Sequence, residues 1–203
     1  SVIKDYALLL RSPRYVQSAM IPNMLAGSYM AFVTIMPFLY QDALEMSITL
    51  FSLNQAAIIA SFSLVSYFSE NITKRFGSER SVLSASAISV ISAFTLFVFS
   101  YFIPLPSPWI ITPLMCTFAM GCALSFSVIF TASLFIIPGK NAAAASLNMS
   151  LRTLLAATTI QLAAYVYKGA LFPVISILLI CVIFSCFLTT QFYSKKYITQ
   201  EGL

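Results

Sequence analysis

Arg152 is the one charged side chain in this sequence set well inside a long apolar run, SLNMSLRTLLAATTIQLAA (146–164). It falls about nine residues into that run, or roughly 14 Å along a helix at 1.5 Å per residue. Asn148 precedes it by one turn, and Thr159 follows by about two turns on nearly the same face. A guanidinium at that depth attracts an anionic substrate group or pairs with a carboxylate from another segment. With a later membrane boundary it snorkels into headgroups instead. That choice leaves only about 15 apolar residues, short of a span, so the intramembrane position is favoured. Asn23, Asn54, Gln55 and Gln161 are the other amides inside apolar runs. They face either a water-filled path or a neighbouring helix that they hydrogen-bond for packing alone.

Other chemistry is excluded by residue type. There is no histidine, which removes imidazole metal sites, Ser-His nucleophiles and histidine proton relays. Cys116, Cys122, Cys181 and Cys186 all lie in apolar runs without paired CxxC spacing, and read as small hydrophobes. The six acids, Asp5, Asp42, Glu45, Glu70, Glu79 and Glu201, fall in loops, termini or helix ends. No nucleophile–base pair assembles from this set, so the chain is not read as an enzyme, and no cofactor or metal is expected.

The elements that must position these residues follow from composition. Only 17 of 203 residues are charged and 60% are hydrophobic, with a mean hydropathy of +0.92. A soluble domain has roughly a quarter charged residues, and a chain this short cannot hide so much apolar surface in a core. Disorder and nucleic-acid binding need far more polarity, despite the net charge of +5. The composition predicts an all-α membrane protein whose main partner is the lipid bilayer.

Apolar runs between charges predict six transmembrane helices at roughly 15–40, 48–70, 81–103, 109–137, 143–167 and 171–193. Short separators lie at 41–47, 71–80, 104–108, 138–141 and 168–170. The apolar character is continuous rather than alternating, which excludes barrel strands. Nine basic residues then fall on one side: Lys4, Arg11, Arg14, Lys74, Arg75, Arg80, Lys140, Lys195 and Lys196. The other side has Lys168 with Asp42 and Glu45. That bias predicts both termini in the cytoplasm of a multi-pass plasma-membrane (bacterial inner-membrane) protein. Residues 1–14 read as an amphipathic cytoplasmic linker, 15–193 as the helical domain and 194–203 as a cytoplasmic tail. The chain opens on Ser1 without a signal-peptide pattern and reads as starting inside a longer sequence.

Polar residues are uneven across the spans. The second and fifth helices are predicted to line a cavity, with the third and sixth facing lipid. Pro22, Gly27 and Pro37 on the first helix, and Pro113 and Gly121 on the fourth, are candidate conformational positions, as bends or as close-packing sites. Ser52-Leu53-Asn54 opens the second helix and Ser146-Leu147-Asn148 opens the fifth, 94 residues later. Such an echo fits an inverted repeat of three helices plus three.

These features resemble the C-terminal half of a major facilitator superfamily transporter, most of all the bicyclomycin-resistance type of multidrug/proton antiporter. Tyr6-Ala-Leu-Leu-Leu-Arg-Ser-Pro-Arg-Tyr15 is similar to the linker into that family's seventh helix. Ala26-Gly-Ser-Tyr-Met-Ala-Phe-Val-Thr-Ile-Met-Pro37 is similar to the helix itself. Lys74-Arg75-Phe76-Gly77 resembles the superfamily's basic loop motif, with Lys74 in place of its aspartate and Ser78 and Glu79 in place of its trailing basic pair. Lys140-Asn-Ala-Ala-Ala-Ala-Ser146 resembles the entry to the eleventh helix. Arg152 matches no motif of the subfamily. The resemblance implies half of a drug or small-molecule efflux antiporter that works with a missing N-terminal six-helix half. It also implies a proton gradient as energy source and a coupling carboxylate in that other half. The competing readings are a split or truncated fragment that transports nothing, and a self-assembling six-helix facilitator.

Overall fold

The structure is a computed structural model. It describes the backbone of residues 2–200 and the side chains of 3–194. Residues 201–203, with Glu201, and the side chains of Lys195 and Lys196 lie outside the described residues. The helices are α1 (Val2–Arg11), α2 (Pro13–Pro37), α3 (Ile48–Phe76), α4 (Ser78–Phe102), α5 (Pro108–Leu134), α6 (Asn141–Val166) and α7 (Phe172–Gln200).

Local chemistry sets the boundaries. Ser12, Ser47 and Ser107 cap α2, α3 and α5, their hydroxyls accepting from the backbone N–H of Tyr15, Leu50 and Trp109. Pro13 and Pro108 occupy first turns, where no N–H is needed. Gly77 alone separates α3 from α4, at φ +82°, a left-handed conformation that glycine adopts without steric cost. The segment 71–80, expected as a loop, is therefore helical on both sides of one glycine. Lys74 and Arg75 sit in the last turn of α3, where cations suit the helix dipole.

Among the described residues, five helices are long and apolar enough to cross a membrane: Pro13–Ala43, Ile48–Phe76, Ser78–Phe102, Pro108–Leu134 and Phe172–Ser194. α6 is as long, at 26 residues, but Asn148, Arg152, Gln161 and its Ser and Thr are spread along it, so it lacks an uninterrupted apolar stretch of the kind the other five have. The expectation of six apolar spans thus becomes five, plus a sixth helix of similar length whose apolar character is interrupted.

α6 nevertheless runs parallel to α2 along much of that helix. Tyr15 Oη donates to Ala144 O (2.8 Å), Asn23 Nδ2 to Asn148 Oδ1 (2.7 Å) and Thr159 Oγ1 to Gly27 O (2.9 Å). α7 is antiparallel to α2, with Gln17 Nε2 on Leu188 O and Ser185 Oγ on Ile21 O. α2 and α5 form the centre. α2 packs on α6, α7 and α5, while α5 packs on α3, α4 and α2; α4 and α7 pack on each other. Advancing each helix by three (α2 to α5, α3 to α6, α4 to α7) reproduces these partnerships, with α2 and α5 antiparallel. Gly27 and Gly121 share the 94-residue offset that relates Asn54 to Asn148.

The starts of α2, α4 and α6 and the ends of α3 and α5 share one end of the bundle. It carries Lys4, Arg11, Arg14, Lys74, Arg75, Arg80 and Lys140 and is called the basic end here. The distal end exposes Tyr101, Trp109 and Tyr165, amphipathic rings suited to a membrane–water boundary. α4 and α7 expose Ile88, Ile91, Phe94, Ile180 and Ile183 on one face. Their other faces are buried, and α4 there presents Ser81, Ala85, Ser89 and Ala93. These two helices are therefore half packed rather than simply lipid-facing.

The proline-bearing helices are not interrupted. Pro22 and Pro113 lie inside continuous α2 and α5, and only Pro37 precedes a change, a π-helical turn at Phe38–Ala43. Gly27 and Gly121 are close-packing positions. A Cβ on Gly27 meets Thr159 Oγ1 at 3.0 Å, whereas one on Gly121 meets the backbone Ala85 O at 2.5 Å. A hydroxyl can rotate away, but a carbonyl in a helix cannot. Gly121→Ala should therefore cost about 1–3 kcal/mol as an overpacking change, and Gly27→Ala clearly less. Thiol-dye melting in mild detergent, reading exposure of buried Cys122, checks that order.

α1 docks on the basic end of the α2–α6 pair. Leu9 is buried beside Tyr15, Ala19 and Ala144, Tyr6 hydrogen-bonds Ser146, and Lys140 Nζ lies 2.7 Å from Asp5 Oδ1. That hydrogen bond, chiefly, holds Asp5 below its ordinary value of 3.8. A depressed carboxyl pKa stabilises docking above the unfolded value, and the effect is lost as pH falls through the folded one. Amide exchange across residues 2–11, corrected for intrinsic rates, should rise only in strong acid for the native chain. In Asp5→Asn it should already be raised at neutral pH.

Candidate functional site

α3 leans on α5, and α6 on α2. A cleft of about 270 Å³ opens between these two flanking helices, with α2 and α5 as its floor. Tyr29, Met30 and Val33 come from α2, Ile59 and Phe62 from α3, Cys122 and Phe126 from α5, and Arg152 from α6. The Arg152 guanidinium carbon sits 4.9 Å above the Phe126 ring, within cation–π range. Tyr29 stacks on Phe62 with centroids 5.9 Å apart and planes 24° from parallel. One cation thus faces aromatic and sulfur-bearing walls, and no carboxylate among the described residues lines the cleft.

Of the six polar residues singled out in the sequence, Arg152 alone lines this cleft. Asn23 and Asn148 are fully buried and bond each other, and Asn148 Nδ2 also donates to Ser133 Oγ (2.9 Å). Asn54 accepts from Thr112 Oγ1 (2.6 Å), and Thr112 in turn bonds Tyr40 Oη (2.8 Å). Gln55 is half-buried on α3, and Gln161 is exposed on α6.

The two networks match each other. Each joins the end of a central helix (Tyr40, Ser133) to the start of a flanking one (Asn54, Asn148). Each also takes in the other central helix, at Thr112 near the start of α5 and at Asn23 near the middle of α2. They lie at opposite ends of the bundle and fasten the walls to the floor. Of the two alternatives that the sequence leaves open for its amides, Asn23, Asn54 and Asn148 take interhelical hydrogen bonding.

A larger groove of about 790 Å³ opens at the basic end between α3, α5 and α7. Its one acid, Glu70, already pairs with Lys74 at 2.6 Å, and its cation, Arg14, lies over the Phe192 ring. Arg14 and Arg152 each face a ring rather than a carboxylate, but Arg14 stands at the start of α2 whereas Arg152 stands mid-helix, so we place the candidate site at the smaller cleft. The described residues contain no cluster of three or more His, Cys, Asp or Glu placed to hold a metal.

The sequence reading did not single out Tyr29, Phe62 and Phe126. Aromatic residues in apolar helices read alike whether they face lipid, core or cleft, and only packing separates the cases. Comparison with models of known protein families, with curated proteins and with solved structures finds no significant match to this chain.

Removing a buried tie leaves its partners unsatisfied, at about 1–3 kcal/mol. Asn148→Ala should lower the thiol-dye melting midpoint in detergent, whereas Gln161→Ala, on an exposed face, should leave it nearly unchanged.

Proposed function

We propose that the chain is the C-terminal six-helix half of a secondary transporter of major facilitator type, with α2–α7 as its membrane-crossing helices and the α3–α6 cleft as one wall of its substrate path. Drug or small-molecule efflux coupled to protons is the activity we assign to the complete transporter. The observation that carries the reading is the packing pattern, in which three helices and the next three make equivalent contacts in opposite orientation. Inverted repeats of this kind put substrate sites near mid-membrane at the repeat interface, and the cleft lies on the two central helices where the repeats meet.

The polarity of α6 supports the same reading. Arg152 and Gln161 suit a surface that faces protein or water better than one that faces hydrocarbon. The basic end is assigned to the cytoplasm on the positive-inside bias. Alternating access rocks one half against the other, so transport is assigned to this chain together with an N-terminal half. The coupling carboxylate is assigned to that partner.

Cysteine accessibility in membranes tests the proposal. In a background lacking the four native cysteines, Ala26→Cys and Met30→Cys on the floor should react with a small, charged thiol reagent. Ile91→Cys and Ile180→Cys on the outer faces should not. An inert floor would overturn the reading of a substrate path. Robust flux from this chain alone in liposomes would instead identify a self-assembling facilitator.

A further inference from the structure

The cleft is chemically one-sided. Arg152 has neither a carboxylate nor a hydrogen-bond partner among the described residues; its contact is the Phe126 ring. Stacking on a ring occupies one face of the guanidinium and leaves its forked N–H donors available. Such a fork matches a carboxylate with two parallel bonds. Around it the walls are apolar and aromatic, and Tyr29 and Phe62 present a stacked pair across the cleft from α2 and α3.

Position strengthens the argument. Arg152 is the twelfth of 26 residues in α6, so it lies near the middle of the helix rather than at a headgroup-level end. A cation there is costly unless something compensates its charge, and a ring face supplies only part of that. The cleft volume of about 270 Å³ is near the small end for ligand pockets. It suits a compact ligand with a flat apolar body and one negative group.

We infer that the cleft binds small aromatic or lipophilic monoanions, with Arg152 pairing the anionic group and Tyr29, Phe62 and Phe126 packing the body. This rests on the cleft being a substrate path and adds the substrate's charge and shape. Neutral and cationic drugs of the same size are then poor ligands. A phospholipid phosphate carries the same anionic chemistry, and the test separates it from a soluble ligand.

The test is calorimetric titration of the purified chain in nanodiscs with 2-naphthoate and its neutral counterpart 2-naphthamide. Naphthoate should bind at least tenfold more tightly. Arg152→Gln should erase that preference, and Arg152→Lys should keep part of it, since it retains charge without the fork. Ile59→Trp should weaken both ligands by filling the cleft while leaving the cation in place. Equal affinity for the two ligands, or a preference that survives Arg152→Gln, would overturn the anion assignment while leaving the cleft as a ligand site. Failure of both ligands to bind would remove the cleft itself as a site, and the substrate-path reading with it. Loss of naphthoate binding on adding phosphatidylglycerol to the nanodiscs would reassign Arg152 to a lipid phosphate.

Discussion

The hydrogen bonds between α2 and α6 are the contacts on which the rest of the arrangement depends. Inside hydrocarbon no water competes, so every polar group must find a partner within the protein. Asn23 Nδ2 donates to Asn148, although Asn23 Oδ1 is left buried without a partner among the described residues; Tyr15 bonds Ala144, and Thr159 bonds Gly27. The seam holds a comparatively polar helix against the most buried one and thereby fixes where Arg152 points. Were α6 free to turn about its axis, its cation could face the bilayer.

The same constraint recurs across the bundle, at the Tyr40–Thr112–Asn54 network. Each tie fastens one wall to the floor, and no hydrogen bond between the described residues crosses the cleft from α3 to α6. Stacked rings and one cation remain there. Polar fastening of each wall to the floor, with apolar contact across the cleft, suits the ligand surface proposed above. Small residues provide the complementary device. Gly121 against Ala85 and Ser89 lets α4 and α5 approach closely, and dispersion between close backbones replaces the hydrophobic drive that is absent between helices in lipid.

Much of the fold was legible from charge placement and run length. The starts of all six long helices and the ends of most lie within a few residues of the sequence reading, because capping serines, prolines and glycines mark them. The loop at 71–80 was not legible: Lys74, Arg75 and Arg80 look like a solvated turn, yet helix continues to either side of Gly77. Nor were the roles of the amides. Asn23, Asn54 and Asn148 stand out as costly polar groups, but a lone sequence does not reveal whether such a group meets water, ligand or another amide. Pro22 and Pro113 sit in helices that continue through them.

By itself the sequence determined that the chain is helical and suited to a bilayer, which end is basic, and that one cation, Arg152, interrupts a long apolar run. These depend on composition and on near-neighbour chemistry, which linear order contains. Tertiary structure decided which polar residues pair, that the two triplets of helices pack equivalently, and which rings surround Arg152. Those facts depend on contacts between residues up to more than a hundred positions apart, such as Asn23 with Asn148. No local pattern encodes such a pairing, because its energy exists only once the helices have met.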